Sequence, residues 1–213
     1  MNLPFYQQLK KQLGSTEQKA KLVAVTKYSE VDEINKAISA GINIIGENRL
    51  QDAEKKFPYL LPVEKHFIGT IQSKKLRKIF NLFDVIESLG SYEHLEKLNN
   101  IAEEEGKIAK IFLQVNVSSE SQKSGFLPLE LKEITGKTKN MNNICIQGIM
   151  GMAEKTDNEM DIRMQFRLAK NIFLELQKDI PTIKELSLGM SSDYEIALEE
   201  GATLVRVGKA LFL

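Results

Sequence analysis

Eight short apolar runs, evenly spaced, constrain this chain's fold more than any other feature. They are LVAVTK (22–27), NIIGEN (43–48), HFIGT (66–70), DVIESLG (84–90), KIFLQVNV (110–117), IQGIMGM (146–152), ELSLGM (185–190) and TLVRVGKA (203–210). Several are continuously apolar, as strands buried on both faces of a parallel sheet are. Amphipathic, charge-rich stretches separate them. EVDEINKAISAG places Val31, Ile34, Ala37 and Ile38 on one helical face, with Gly41 as the residue just past the helix end. MQFRLAKNIFLELQK carries Phe166, Ala169, Ile172, Phe173 and Leu176 at helical spacing. Capping boxes are expected at Ser29–Asp32, Thr156–Glu159 and Ser192–Glu195, and Pro128 as the first residue of a helix. Eight strands in strict alternation with helices predict an α/β chain folded as one (β/α)8 TIM barrel, with an extra helix at about residues 2–13 ahead of it. An open doubly wound sheet is the alternative, and eight evenly spaced strands suit it less. At 213 residues, residues 1–213 read as one domain, and little length remains for a second.

Bulk composition excludes several function classes. Lysine plus arginine and aspartate plus glutamate number 29 each, so no basic excess points to a nucleic-acid or membrane partner. The one cysteine, Cys145, cannot form an internal disulfide and suits a reducing cytoplasm. It reads as a core residue. MNLPFYQQLKKQLG has no apolar segment of the signal-peptide kind, and no stretch is apolar for long enough to span a bilayer. With His66 and His94 the only histidines, no zinc-ligand grouping occurs. His66 opens a strand beside Phe67, so a core or barrel-bottom position is expected.

In a TIM barrel, functional groups gather at the carboxyl ends of the strands. That rule selects Lys27, Glu47-Asn48, Gly69-Thr70, Asn116, Met150-Gly151-Met152, Gly189–Ser192, and Arg206 with Gly208-Lys209. Apolar walls around Lys27 would disfavour its ammonium form, and a neutral amine is what condensation with a carbonyl compound needs. A lysine that reaches water or pairs with Glu47 is the competing reading, and position alone weighs the two evenly. Gly189–Ser192 leads into a helix, where an anion such as phosphate can sit, and Gly208 lies in the other loop that often binds phosphate in barrels. Arg206 lies inside an apolar run and needs partners, either a buried carboxylate or a ligand. SQKSGF (121–126) offers Lys123 and Gly125 to an anion as a weak signal.

The motifs AVTK, GENRLQDAEKK, HFIGTIQSKK, QVNVSSESQKSGF, IQGIMGM, LSLGMSSDYEIAL and VRVGKALF occur in this order along nearly the whole chain. As an ordered set they resemble the pyridoxal-phosphate homeostasis family, which is similar in fold to the N-terminal barrel of alanine racemase. The resemblance implies that the chain binds pyridoxal 5′-phosphate (PLP), with Lys27 forming a Schiff base. It implies that Ser191 and the backbone around Gly208 hold the phosphate, and that Arg206 faces the pyridine nitrogen. Asn48 and Met150 would help to line the ring pocket, and Lys123 falls in a segment linked to PLP handling. Two positions depart from the family pattern. Lys209 stands where threonine or serine is usual, and Leu213 where glycine is usual.

An arginine at the ring nitrogen makes PLP a poorer electron sink. Alanine racemase shares that arginine but adds a second base from a partner subunit and a further domain. No tyrosine or cysteine of this chain stands out as such a base. The expected function is therefore a monomeric, non-catalytic PLP carrier in the cytoplasm that limits free aldehyde and passes the cofactor to PLP-dependent apoenzymes. A PLP-dependent amino-acid racemase or lyase is the alternative. A Schiff-base aldolase is a weaker third.

Overall fold

In the computed structural model, which describes residues 1–17, 19–118 and 124–212, the eight expected strands close into one parallel barrel in chain order. They are β1 (Lys21–Val25), β2 (Ile44–Glu47), β3 (Glu64–Phe67), β4 (Val85–Leu89), β5 (Ala109–Val115), β6 (Ile144–Gly151), β7 (Glu185–Ser187) and β8 (Leu204–Val207). The helices are α1 (Leu3–Ser15), α2 (Val31–Ser39), α3 (Leu50–Lys56), α4 (Leu76–Leu82), α5 (Tyr92–Glu104), α6 (Leu131–Thr138), α7 (Glu159–Asp179), α8 (Tyr194–Glu199) and α9 (Lys209–Phe212). The extra N-terminal helix is α1, capped by the Asn2 side chain, which accepts from Phe5 N. It buries Tyr6, Leu9 and Leu13, and the Asn2 amide donates to the Leu211 carbonyl, so the two ends of the chain meet.

The core has two shells. The outer shell lies between helices and barrel. On α7 it takes the expected stripe, Phe166, Ala169, Ile172, Phe173 and Leu176, together with Ile162. Inside the barrel, Val23, Ile44, Val85, Phe112, Met150 and Leu204 form a separate apolar layer. A methyl group at Gly148 would come within 3.0 Å of the Phe112 ring, so this glycine makes room for the phenylalanine.

Several local expectations shift by a residue or two. The α2 box is Glu30 with Glu33, not Ser29 with Asp32, and Ser29 is buried in the turn before it. Asn158, not Thr156, caps α7 by accepting from Met160 N, and Thr156 Oγ1 accepts from Asn158 N. Asp193, not Ser192, stands at the start of α8. At α7 an amide side chain nearer the helix took the cap from the hydroxyl, because both classes of acceptor serve as caps, whereas the Asp193 side chain turns back to Met190 N and caps no amide of α8. Gly41 has φ +106 and ends α2 as expected, and Pro128 opens a 3-10 turn that leads into α6. Cys145 is only half-buried, so it is not a full core residue. The strand expected at 66–70 begins at Glu64, because its polar start lines the lower mouth of the barrel.

Candidate functional site

The carboxyl ends of the strands form the upper mouth. Lys27 follows β1 by two residues, Asn48 follows β2, Met150 sits near the end of β6, Ser191 lies between β7 and α8, and Gly208 joins β8 to α9. With Arg206 near the end of β8, all six candidate residues lie toward one end of the barrel. Lys27 and Gly208 line one small cavity with Tyr28, Ser29 and Lys209. Gly208 lies close to β1, and a methyl group there would stand 2.9 Å from the Val25 carbonyl oxygen.

The base of Lys27 is tightly held. Thr26 N donates to the Gly46 carbonyl (3.0 Å), Ser29 N to the Thr26 carbonyl (3.0 Å), and Lys56 Nζ to the same Thr26 carbonyl (2.8 Å). Lys56 Nζ also lies 3.0 Å from Glu47 Oε1, which accepts from Thr26 Oγ1 at 3.0 Å. Glu47 is thus the partner of Lys56 and not of Lys27. The Lys27 side chain is exposed, with Nζ 4.9 Å from the Tyr28 ring centroid. The enclosing apolar walls expected around it give way to open solvent and one aromatic face.

Arg206 is buried beneath this mouth at 3% exposure. Nη1 donates to the Ser187 carbonyl (2.9 Å) and hydroxyl (2.7 Å), and Nη2 to the Gly151 carbonyl (3.0 Å). Of the two expected arrangements the first comes closest, since a buried carboxylate, Glu87, balances the guanidinium through Ser187 rather than by direct contact. Burial pulls the guanidinium down from its usual range, while Glu87 and Asp193 hold it charged. Met150 precedes the Gly151 carbonyl and belongs to the apolar layer inside the barrel, so it lies under the mouth.

The turn after β7 is shaped by Asp193. Its Oδ1 accepts from Met190 N (2.6 Å), while Asp193 N and Tyr194 N donate to the Met190 carbonyl (3.1 and 2.9 Å). Ser191 is exposed within this turn. At the next joint the Gly208 carbonyl accepts from Leu211 N (2.9 Å) and Phe212 N (3.2 Å). The amides of Lys209 and Ala210 precede the first intrahelical donor, Leu211 N, and are left for other partners. Lys209 is exposed and lines the Lys27 cavity, which adds a second amine to it. Lys123 and Leu213 lie outside the described residues.

Among the described residues, Asn48 Oδ1 and Glu47 Oε2 at this end, and His66 Nε2 on β3, are buried without a hydrogen-bond partner. Such orphans at a strand end mark a place for a polar ligand or water. Asn48 is fixed from below by Gly69, where a methyl group would lie 2.0 Å from the Asn48 carbonyl oxygen. Gly69→Ala is expected to force β2 and β3 apart at the mouth. A loss of about 1–3 kcal/mol in urea unfolding would measure the cost of this overpacking. Sequence reasoning passed over Glu87, Ser187, Asp193 and Lys56. Glu87 carried a usable signal, a carboxylate inside the apolar run DVIESLG.

Residues 6–213 match the family model described as alanine racemase, N-terminal domain. The pyridoxal phosphate homeostasis protein of Pasteurella multocida is 32% identical over 202 residues, covering 92% of this chain and 87% of that protein. Its counterpart from Pseudomonas aeruginosa is 36% identical over 193 residues, covering 90% and 83%. Among solved structures, PipY of Synechococcus elongatus without PLP superposes with a TM-score of 0.90 at 34% identity, over 97% of this chain and 99% of that one. PipY with PLP bound gives 0.84 at 32% identity, over 96% and 100%. An alanine racemase from Clostridium difficile, at 17% identity and a TM-score of 0.81, shares the fold over 99% of this chain and 55% of its own. With its closed barrel, its lysine after the first strand and these relatives, the chain belongs to the pyridoxal phosphate homeostasis protein family.

Proposed function

We propose that this protein binds PLP through a Schiff base to Lys27 and acts in PLP homeostasis as a carrier or buffer. The observation that carries the reading is that Lys27, Gly208 and Lys209 line one cavity at the strand ends, next to the strand β8 that carries the buried Arg206. When bound, PLP supplies an aldehyde that condenses reversibly with a primary amine, and a phosphate that needs donors. The residues present fit both needs. Lys27 offers an amine on a fixed base. Ser191, the Lys209 and Ala210 amides and the Lys209 ammonium offer donors for the phosphate. The orphaned Asn48 Oδ1 offers an unused acceptor at the ring, and the Arg206 guanidinium, held by Ser187 and the Gly151 carbonyl, offers a buried cation for the ring nitrogen. A cation at the ring nitrogen disfavours its protonation, which suits holding the cofactor over activating it.

The carrier reading gains support from the curated relatives from Pasteurella multocida and Pseudomonas aeruginosa, both named pyridoxal phosphate homeostasis proteins.

Tyr28 favours a second reading, a PLP-dependent racemase or lyase, because its phenol lines the same cavity as Lys27. Racemisation requires bases on opposite faces of the bound amino acid. Tyr28 is the next residue in the chain and lies against the Lys27 ammonium, on the same side. Borohydride reduction of the PLP-loaded protein, then peptide mass spectrometry, is expected to place one PLP adduct on the peptide containing Lys27. An adduct solely elsewhere overturns the assignment. Robust formation of D-isomer from single L-amino acids, followed by chiral chromatography, overturns the carrier role.

A further inference from the structure

Four strands each send one buried polar side chain into the barrel, and the four form a continuous chain. His66 Nδ1 on β3 lies 2.6 Å from Glu87 Oε1 on β4. Ser187 Oγ on β7 donates to Glu87 Oε2 at 2.6 Å, and Arg206 Nη1 on β8 donates to Ser187 Oγ at 2.7 Å. All four residues are at most 3% exposed. Lower down, His66 Nε2 stands 3.3 Å from Glu64 Oε1, facing a cavity of about 370 Å³ at the lower mouth.

The direction of every bond is fixed by chemistry. A guanidinium only donates, so the Ser187 oxygen accepts from Arg206 and its one proton goes to Glu87. A carboxylate only accepts, so His66 Nδ1 carries a proton. Burial alone would make His66 easier to deprotonate, but its contacts with Glu64 and Glu87 outweigh this and lift it to about 9. Burial would raise the Glu87 carboxyl, yet His66, Arg206 and Ser187 hold it below the usual range. Glu87 is therefore an anion between two cations. An interior of aliphatic side chains would avoid this desolvation cost, and buried ion pairs seldom stabilise more than apolar packing does.

We infer that Glu87, acting through Ser187, is a positioning residue that sets the orientation and effective charge of Arg206 at the cofactor ring, with His66 setting the charge balance from below. This rests on the PLP reading above. The charged groups around the chain are Glu64 beside His66, Lys21 and Lys110 beside Glu64, and Asp193 near Arg206.

The anion and the histidine cation of the chain make opposite predictions. Glu87→Gln removes a negative charge, so the pH midpoint of the bound cofactor's visible band is expected to fall by about 1 unit, a tenfold change in that equilibrium. His66→Gln removes a positive charge and is expected to move the midpoint up. Ser187→Ala keeps the charges but takes from Nη1 its hydroxyl acceptor and leaves it only the backbone carbonyl of residue 187, so equilibrium dialysis is expected to show weaker PLP binding by about tenfold, one lost hydrogen bond to a charged group. A role limited to stability lowers the melting temperature of all three variants and leaves both midpoints in place, which would overturn the proposal. The apo protein gives an independent readout. NMR of the Arg206 guanidinium is expected to show slow Nη rotation in the wild type and fast rotation in Ser187→Ala and Glu87→Gln. Slow rotation retained in both variants refutes the positioning role, even in a protein that forms no borohydride-reducible link.

Discussion

Replacing Lys27 with alanine is expected to abolish the visible absorbance of the PLP-loaded protein and the borohydride-stable adduct, while the melting temperature stays close to wild type. The effect on the covalent link is all-or-none, because no methyl group can replace the amine. The fold should survive for a specific reason. The Lys27 side chain is exposed, and the contacts that hold its turn are made by the backbone of Thr26 and Ser29 and by Lys56 and Glu47. Exposed substitutions away from caps and buried partners change stability by only about 0.5 kcal/mol. Lys209, in the same cavity, is the natural control. An unchanged spectrum in Lys27→Ala, lost instead in Lys209→Ala, would transfer the covalent role to Lys209.

Raising the pH should destabilise the fold through His66. Its folded-state value of about 9 lies above the ordinary 6.5, so the protonated form is bound more tightly in the folded chain. The resulting stability is fully present below about pH 6.5 and is lost as pH rises through about 9. The shift corresponds to roughly 3 kcal/mol, a large share of the stability of a single domain. Urea unfolding at about pH 6 and about pH 10 is expected to show the loss, and His66→Gln should flatten the slope in that window. A wild-type midpoint independent of pH across the window would mean that His66 is not charged in the folded protein. Glu87 acts in the opposite direction. Its lowered carboxyl contributes stability above the ordinary 4.5, lost as pH falls through its folded value.

The barrel was legible because most strands are short apolar runs, several buried on both faces, and such runs do not depend on distant partners; β3, which opens on Glu64 and Lys65, is the exception. The Lys27 position followed from the same rule, since a lysine closing an apolar run must emerge at a strand end. Its surroundings did not follow. Lys56 comes from the end of α3, and nothing near it in sequence says that its amine reaches under β1. Glu87 and Ser187 lie 100 residues apart, and their contact exists only once the barrel closes. Arg206 drew attention as a charge in an apolar run, and Glu87 is the same kind of signal with the opposite sign. Read as a pair, the two predict an interior ion network before any coordinates exist. The helix starts were misplaced for another reason. Serine, asparagine, aspartate and glutamate compete for the same backbone amides, and residue type alone does not choose among neighbours.

The locked backbone under Lys27 has a kinetic consequence. A tether with a fixed foot and a free arm moves by rotamer changes of one side chain, on the picosecond-to-nanosecond scale of exposed residues. Capture and release of an aldehyde at such an arm need no loop opening and no shift of the barrel. Under the proposed carrier role, the speed of delivery would then be set by imine chemistry and by the incoming amine, and the protein would serve as a rigid dock that hands over its cargo without changing shape.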